Sequence, residues 1–216
     1  MRLVDLSLPL FDGAPAMPGD PVMSAEAHST LEDGGYRLMR LTLSTHQGTH
    51  IDLPSHVFPQ GETVTDLAPD RFVTPAFVAD CTGKQPGQEL TPEDLAPYFP
   101  LLAQGVSPVL CTGWDAMWGK PGYFTDFPCV GRALADYLAE QPIRLVGMDT
   151  PSPHDRDWKH IHRRLLGRGV LLLESLAAVR SLPFGQPFVL FALPLKLRSL
   201  DGSPVRAAAM LDDDNR

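Results

Sequence analysis

Ser44-Thr45-His46-Gln47-Gly48-Thr49-His50-Ile51-Asp52-Leu53-Pro54-Ser55-His56 gathers three of the chain's seven histidines and a carboxylate into one short stretch. His46, His50, Asp52 and His56 share parity, so an extended chain points all four to one face. A straight strand separates residues four apart by about 13 Å, too far to meet on one ion. Gly48 supplies backbone freedom for the chain to curl, and Pro54 discourages a helix from continuing. Curled at Gly48, neutral imidazoles and a carboxylate suit Zn²⁺ or Mn²⁺. The competing reading is a polar loop with solvated histidines, and a single His-x-x-x-His spacing does not separate the two. Four ligand-type residues of one parity around a glycine and a proline favour the metal.

On either side of this stretch, short β-rich runs, most of them bounded by Gly or Pro, recur at 3–10, 37–45, 76–81, 108–112, 143–148, 170–174 and 188–193. The first of these begins in a segment too short and polar for a signal peptide, and it reads as a first strand. Helical signals are fewer. Thr91-Pro92-Glu93-Asp94 is an N-cap, a first-turn proline and two acids. Leu134, Tyr137 and Leu138 share a face within 133–139, and Trp158, Ile161, His162, Leu165 and Leu166 form a third stripe. Strands outnumber helices without alternating regularly, which predicts an α/β fold around a mixed central sheet.

The 216 residues, 44% hydrophobic and 20% charged, suit one soluble globular domain spanning 1–216 with a substantial core. Twenty-six acidic against eighteen basic residues give a net charge of -8, which repels a phosphate backbone and argues against nucleic acid as partner. No apolar run approaches the ~20 residues of a membrane helix. Cys81, Cys111 and Cys129 form no C-x-x-C pair, so neither a disulfide framework nor a thiolate zinc site is expected, and the cytoplasm is the expected compartment. Asp212-Asp213-Asp214 reads as a solvated tail.

A second half-site is visible further on. The run 169–174 reads as a buried strand ending in Glu174, whose charge there must be paired, metal-bound or at a solvent end. His162 lies on the apolar stripe and His160 on the polar side. Taken singly, His162 reads as a hydrogen-bonded core histidine and Glu174 as a strand-end ion pair; together they suit a second metal position. Cys81 and Cys111 read as inert core residues, and His28 and His154 as solvated loop residues. Trp114 and Trp118 fall in a glycine-rich loop, as a lid or as packing. No nucleophile elbow, phosphate loop or dinucleotide fingerprint occurs.

His46-x-Gly48-Thr49-His50-x-Asp52-x-Pro54-x-His56 resembles the signature of the metal-dependent cyclase-type hydrolases, which include bacterial kynurenine formamidases and isatin hydrolases. Asp5-Leu6-Ser7-x-Pro9, Pro18-Gly19-Asp20-Pro21, Thr112-Gly113-Trp114, Asp149-Thr150-Pro151-Ser152, Pro194-Leu195-Lys196-Leu197 and 202–207 resemble further segments in the same order. The resemblance implies a swivelling β/β/α fold and a homodimer or higher assembly. It also implies two zinc ions, or manganese. His46, His50 and Asp52 would hold the first ion, Asp52 would bridge, His162 and Glu174 would hold the second, and His56 would be the general acid/base. The implied reaction is hydrolysis of a small amide, most simply N-formyl-kynurenine. A water activated by the metal field attacks the formyl carbon, and His56 passes a proton to the leaving aniline nitrogen. Isatin-type ring opening and metal-dependent binding without turnover are the other readings. Met17 stands where the formamidase pattern has a substrate-contacting tryptophan, which leaves the expected metal chemistry intact and weakens the expected grip on an aromatic substrate.

Overall fold

The computed structural model describes residues 1–212; Asp213 and Asp214 of the acidic tail lie outside the described residues. The strands are β1 (Arg2–Asp5), β2 (Ser24–Ser29), β3 (Leu38–Thr42), β4 (His50–Asp52), β5 (Val73–Asp80), β6 (Glu89–Leu90), β7 (Ser107–Cys111), β8 (Cys129–Val130), β9 (Leu145–Met148), β10 (Leu171–Glu174), β11 (Phe188–Phe191), β12 (Gly202–Pro204) and β13 (Ala208–Leu211). The α-helices are α1 (Leu31–Gly34), α2 (Phe99–Ala103), α3 (Arg132–Ala139) and α4 (Trp158–Leu166).

Nine strands form one mixed sheet in the order β1-β13-β11-β5-β7-β9-β10-β4-β12. Its centre, β5-β7-β9-β10, is parallel, and antiparallel pairs flank it on both sides. β7, β9 and β10 are buried along their whole length, as parallel strands covered on both faces must be. That explains why Leu171-Leu172-Leu173 shows no alternation. This is the α/β architecture with a mixed sheet that the sequence leads one to expect.

Several expected strands differ in their bounds, 37–45 shortening to β3 and 188–193 to β11 while β5 begins ahead of 76, and two elements differ for reasons the structure shows. The first strand stops at Asp5, because Ser7 leaves the ladder for an isolated bridge to Leu176. The segment opened by Thr91 carries a reciprocal capping box with Asp94 but runs as a 3-10 helix over Pro92–Tyr98. Pro97 has no N–H to donate, so α2 starts afresh at Phe99.

The element that matters most for the site is α4. Ile161, His162, Leu165 and Leu166 are its buried face, which lies against β10 and α3. At the edge of that contact Arg164 pairs with Asp136 of α3 and with Glu140 at its C-terminus. Burying each leucine of that face contributes about 1.5–3 kcal/mol, enough to fix the helix phase that turns His162 inward. A two-stranded arm, β2 with β3, carries α1 at its turn and leaves Leu38, Met39 and Leu41 exposed. Among the described residues no helix is long and apolar enough to cross a membrane.

Candidate metal centre

The histidine stretch is extended only over β4, so shared parity places His50 and Asp52 on one face and does not by itself place His46 or His56. Gly48, at φ 59°, reverses the chain and brings His46 back beside Asp52. Beyond the strand, Pro54 opens a 3-10 turn, Pro54–His56, that folds His56 over the same spot. Antiparallel pairing of β4 with β10 sets Glu174 directly opposite His50. On the other side, β12 sets Gly202 opposite Asp52. A Cβ on Gly202 would lie 2.8 Å from the Ile51 carbonyl and 2.9 Å from the His46 ring, so only glycine fits there.

His46, His50, Asp52, His56, His162 and Glu174 therefore all line one cavity of about 480 Å³, as does Met17. Asp52 is the hub. One of its oxygens lies 2.7 Å from His46 Nδ1 and 3.3 Å from His50 Nε2, and the other 3.1 Å from His162 Nε2. Glu174 lies 3.4 Å from His50 Nε2 through one oxygen and 3.4 Å from His162 Nε2 through the other. The oxygen facing His162 is buried yet accepts no hydrogen bond of proper geometry.

The outward nitrogens explain the inward ones. His50 donates Nδ1–H to the Gly48 carbonyl at 2.8 Å, and His162 donates Nδ1–H to the Trp158 carbonyl at 2.8 Å. His46 donates Nε2–H to Asp201 at 3.0 Å. In the neutral tautomers this leaves the lone pairs of His46 Nδ1, His50 Nε2 and His162 Nε2 aimed at two carboxylates. Lone pairs facing carboxylates with an orphaned buried oxygen among them need a cation. Protons supply it in the bare protein: burial opposes charging His46, but Asp52 and Asp201 outweigh burial and raise it to about 9. Burial likewise opposes charging His162, which Asp52 and Glu174 raise to about 10. His50 is raised for the same reasons, and Asp52, although buried, is held well below the usual carboxylate range by its histidines. The donor set fits a divalent metal in place of those protons.

Residues 4–155 match the Cyclase family. The chain is 34% identical over 208 residues to the kynurenine formamidase of Bacillus thuringiensis, covering 94% of this chain and 95% of that protein. This chain belongs to the Cyclase family. Its fold is similar to isatin hydrolase A of Labrenzia aggregata, with a TM-score of 0.86 at 27% identity, covering 97% of this chain and 93% of that one. It is also similar to a structure described as a potential metal-dependent hydrolase with cyclase activity, at TM-score 0.75 and 26% identity, covering 96% of each chain.

In this cyclase-family chain the structure adds residues that the sequence does not point to. Asp201 accepts from His46 Nε2 and lies 3.3 Å from His56 Nδ1, tying a ligand-type histidine to His56. Those hydrogen bonds hold Asp201 well below the usual carboxylate range. Its only sequence signal is an Asp-Gly turn, and its partner His46 is 155 residues away. Trp118, Phe124, Phe127 and Trp158 also line the cavity, so aromatic surface is present despite Met17. Trp114 is packing, its indole N–H bonded to the Tyr123 carbonyl at 2.8 Å.

His154 departs from its expected place in solvent. It is buried at 9% exposure, and its Nδ1 accepts from the backbone N–H groups of Arg156 and Asp157 at 3.1 and 3.2 Å. His28 is exposed as expected but lies in β2. His160 is half-buried while His162 is buried, the assignment the helical stripe implies. Cys81 and Cys111 are core residues, with burial raising both thiols, Cys111 to about 12.

Proposed function

We propose that the chain is a metal-dependent amide hydrolase of the arylformamidase type, removing the formyl group from N-formyl-kynurenine. The observation that carries this reading is the convergence of His46, His50, Asp52, His162 and Glu174 around an unsatisfied buried carboxylate oxygen. The kynurenine formamidase relative supports the substrate, and the isatin hydrolase neighbour supports ring opening of a cyclic amide as the second reading. Both reactions break an amide C–N bond.

In this reading those five residues hold the metal, as two zinc ions or manganese. When bound, a divalent cation supplies Lewis acidity, lowering the pKa of water and drawing charge from a carbonyl oxygen. His56 is the general acid/base. Its Nδ1 is engaged by Asp201, so Nε2 is the atom that takes a proton and returns it to the leaving aniline nitrogen. Asp201 thereby orients both His56 and His46. Trp118, Phe124 and Phe127 flank the cavity and exclude water from the reacting bond, while Met17 offers a narrow, adaptable contact. The enzyme acts in the cytoplasm as a homodimer on a small-molecule amide; the exposed Leu38 and Leu41 of the β2–β3 arm support the assembly.

The test is a metal-analysed preparation assayed with N-formyl-kynurenine and with isatin. Metal-dependent formate release supports the formamidase; turnover of isatin alone moves the assignment to ring opening. A metal-loaded protein inert toward both is not this hydrolase.

A further inference from the structure

A second cavity of about 360 Å³ neighbours the first, and His56 and Trp158 line both. Its remaining wall includes Ser55, Phe58, Lys159 and Arg163. Lys159 and Arg163 are four apart on α4 and so project from one face. The ammonium of Lys159 sits 5.4 Å from the centre of the Trp158 ring, and the guanidinium of Arg163 sits 6.0 Å from that of Phe58. Aromatic faces thus hold both cations at the cavity.

The contrast within α4 and its cap is informative. Arg164 and Arg168 are neutralised by Asp136 and Glu140. Lys159 and Arg163 form no ion pair among the described residues, although the chain carries a net charge of -8. The Ser55 hydroxyl, buried beside them, has no hydrogen-bond partner among the described residues. Two unneutralised cations and an unpartnered hydroxyl over an apolar floor match a small carboxylate.

We propose that this second cavity is a carboxylate subsite, with Lys159 and Arg163 as its charge-bearing residues. This rests on the formamidase reading for the identity of the carboxylate, which is either the amino-acid end of the substrate or the formate released. A substrate lying with its amide at the metal cluster passes His56 and Trp158 to bring its anionic end to α4.

The experiment is calorimetric titration of the metal-loaded full chain with kynurenine, with its decarboxylated analogue kynuramine, and with sodium formate. Kynurenine should bind about fivefold more tightly than kynuramine. The preference should vanish in the Lys159→Gln/Arg163→Gln variant and survive in Lys159→Arg. Equal binding of the two aromatic ligands, with formate binding that the double variant loses, assigns the subsite to the released product. Equal binding with no formate binding dependent on Lys159 and Arg163 overturns the subsite. Binding is read without turnover, so a protein that hydrolyses no formamide but retains the carboxylate preference overturns the formamidase reading alone.

Discussion

Among the described residues ligand-type side chains gather in two places, around Asp52 and around His154, and the first of these is the one prepared for a cation. Around Asp52, every histidine spends its outer nitrogen on a carbonyl or on Asp201, leaving the inner nitrogen for the centre. Cys129, His154 and Asp155 are comparably close to one another. There, however, the Nδ1 of His154 is consumed by two backbone N–H groups, and burial pushes the Cys129 thiol up to about 12. Cys129 instead donates to the Phe127 carbonyl. Residue type and proximity do not make a metal site; the destination of the second imidazole nitrogen decides.

The sharpest way to break this contrast is Asp52→Asn beside Cys129→Ala. Asp52→Asn should lose bound metal and on the order of 10³-fold or more of turnover, the equivalent of several kcal/mol of transition-state stabilisation. Cys129→Ala should keep both, and elemental analysis showing metal lost from Cys129→Ala would reverse the roles of the clusters. His56→Ala should lose roughly 10²- to 10⁴-fold in turnover with metal content unchanged, as the proposed acid/base role outside the five proposed ligands requires. Metal lost together with His56 would make it a ligand.

Asp201→Asn tests the outer shell and should weaken metal affinity roughly 10- to 100-fold while altering the pH profile of turnover. An unchanged metal affinity would show that the Asp201 contact does not orient His46. In the metal-free protein, the raised His46 and His162 contribute stability that is complete below their ordinary 6.5 and lost as pH rises through about 9 and 10. Asp52, held low, contributes stability above its ordinary 3.8 that is lost as pH falls through its depressed value. A cation needs those imidazoles neutral, so it displaces protons, and affinity should rise roughly tenfold per pH unit for each proton displaced. Thermal unfolding with and without metal, from pH 6 to 9, should show a widening gap; a constant gap would mean no proton is displaced. The smallest effect is Met17→Trp, which should lower the Michaelis constant for N-formyl-kynurenine by at most about tenfold with little change in turnover.

The legible part of the site is the part that is local in sequence. His46, His50, Asp52 and His56 could be read together because Gly48 and Pro54 announce where the chain bends. His162 could be separated from His160 because a helical stripe carries its own phase. Asp201 could not be found this way, because its partnership with His46 exists only after β12 has paired with β4. The same limit applies to strands. β13 is Ala208-Ala209-Met210-Leu211, whose composition favours a helix, and its placement between β1 and β11 makes it a strand. The separated fragments Thr112-Gly113 and Asp149 prove to be one unit. The carboxylate accepts from both backbone N–H groups and the Thr112 hydroxyl, and burial, opposed by those bonds, raises it to about 6.

The ladders at the edge of the sheet and at the histidine stretch join segments far apart in sequence. β1 precedes the other strands in sequence, yet among the described residues its ladder partner is β13, which follows them. β4 waits in the same way, with β10 and β12 as neighbours. A nascent chain therefore carries its histidine stretch with no sheet to hold it until more than a hundred further residues have emerged, and the ladder of β1 closes last. A metal held by this geometry would therefore have to wait for β10 and β12 to join β4 before the donors converge.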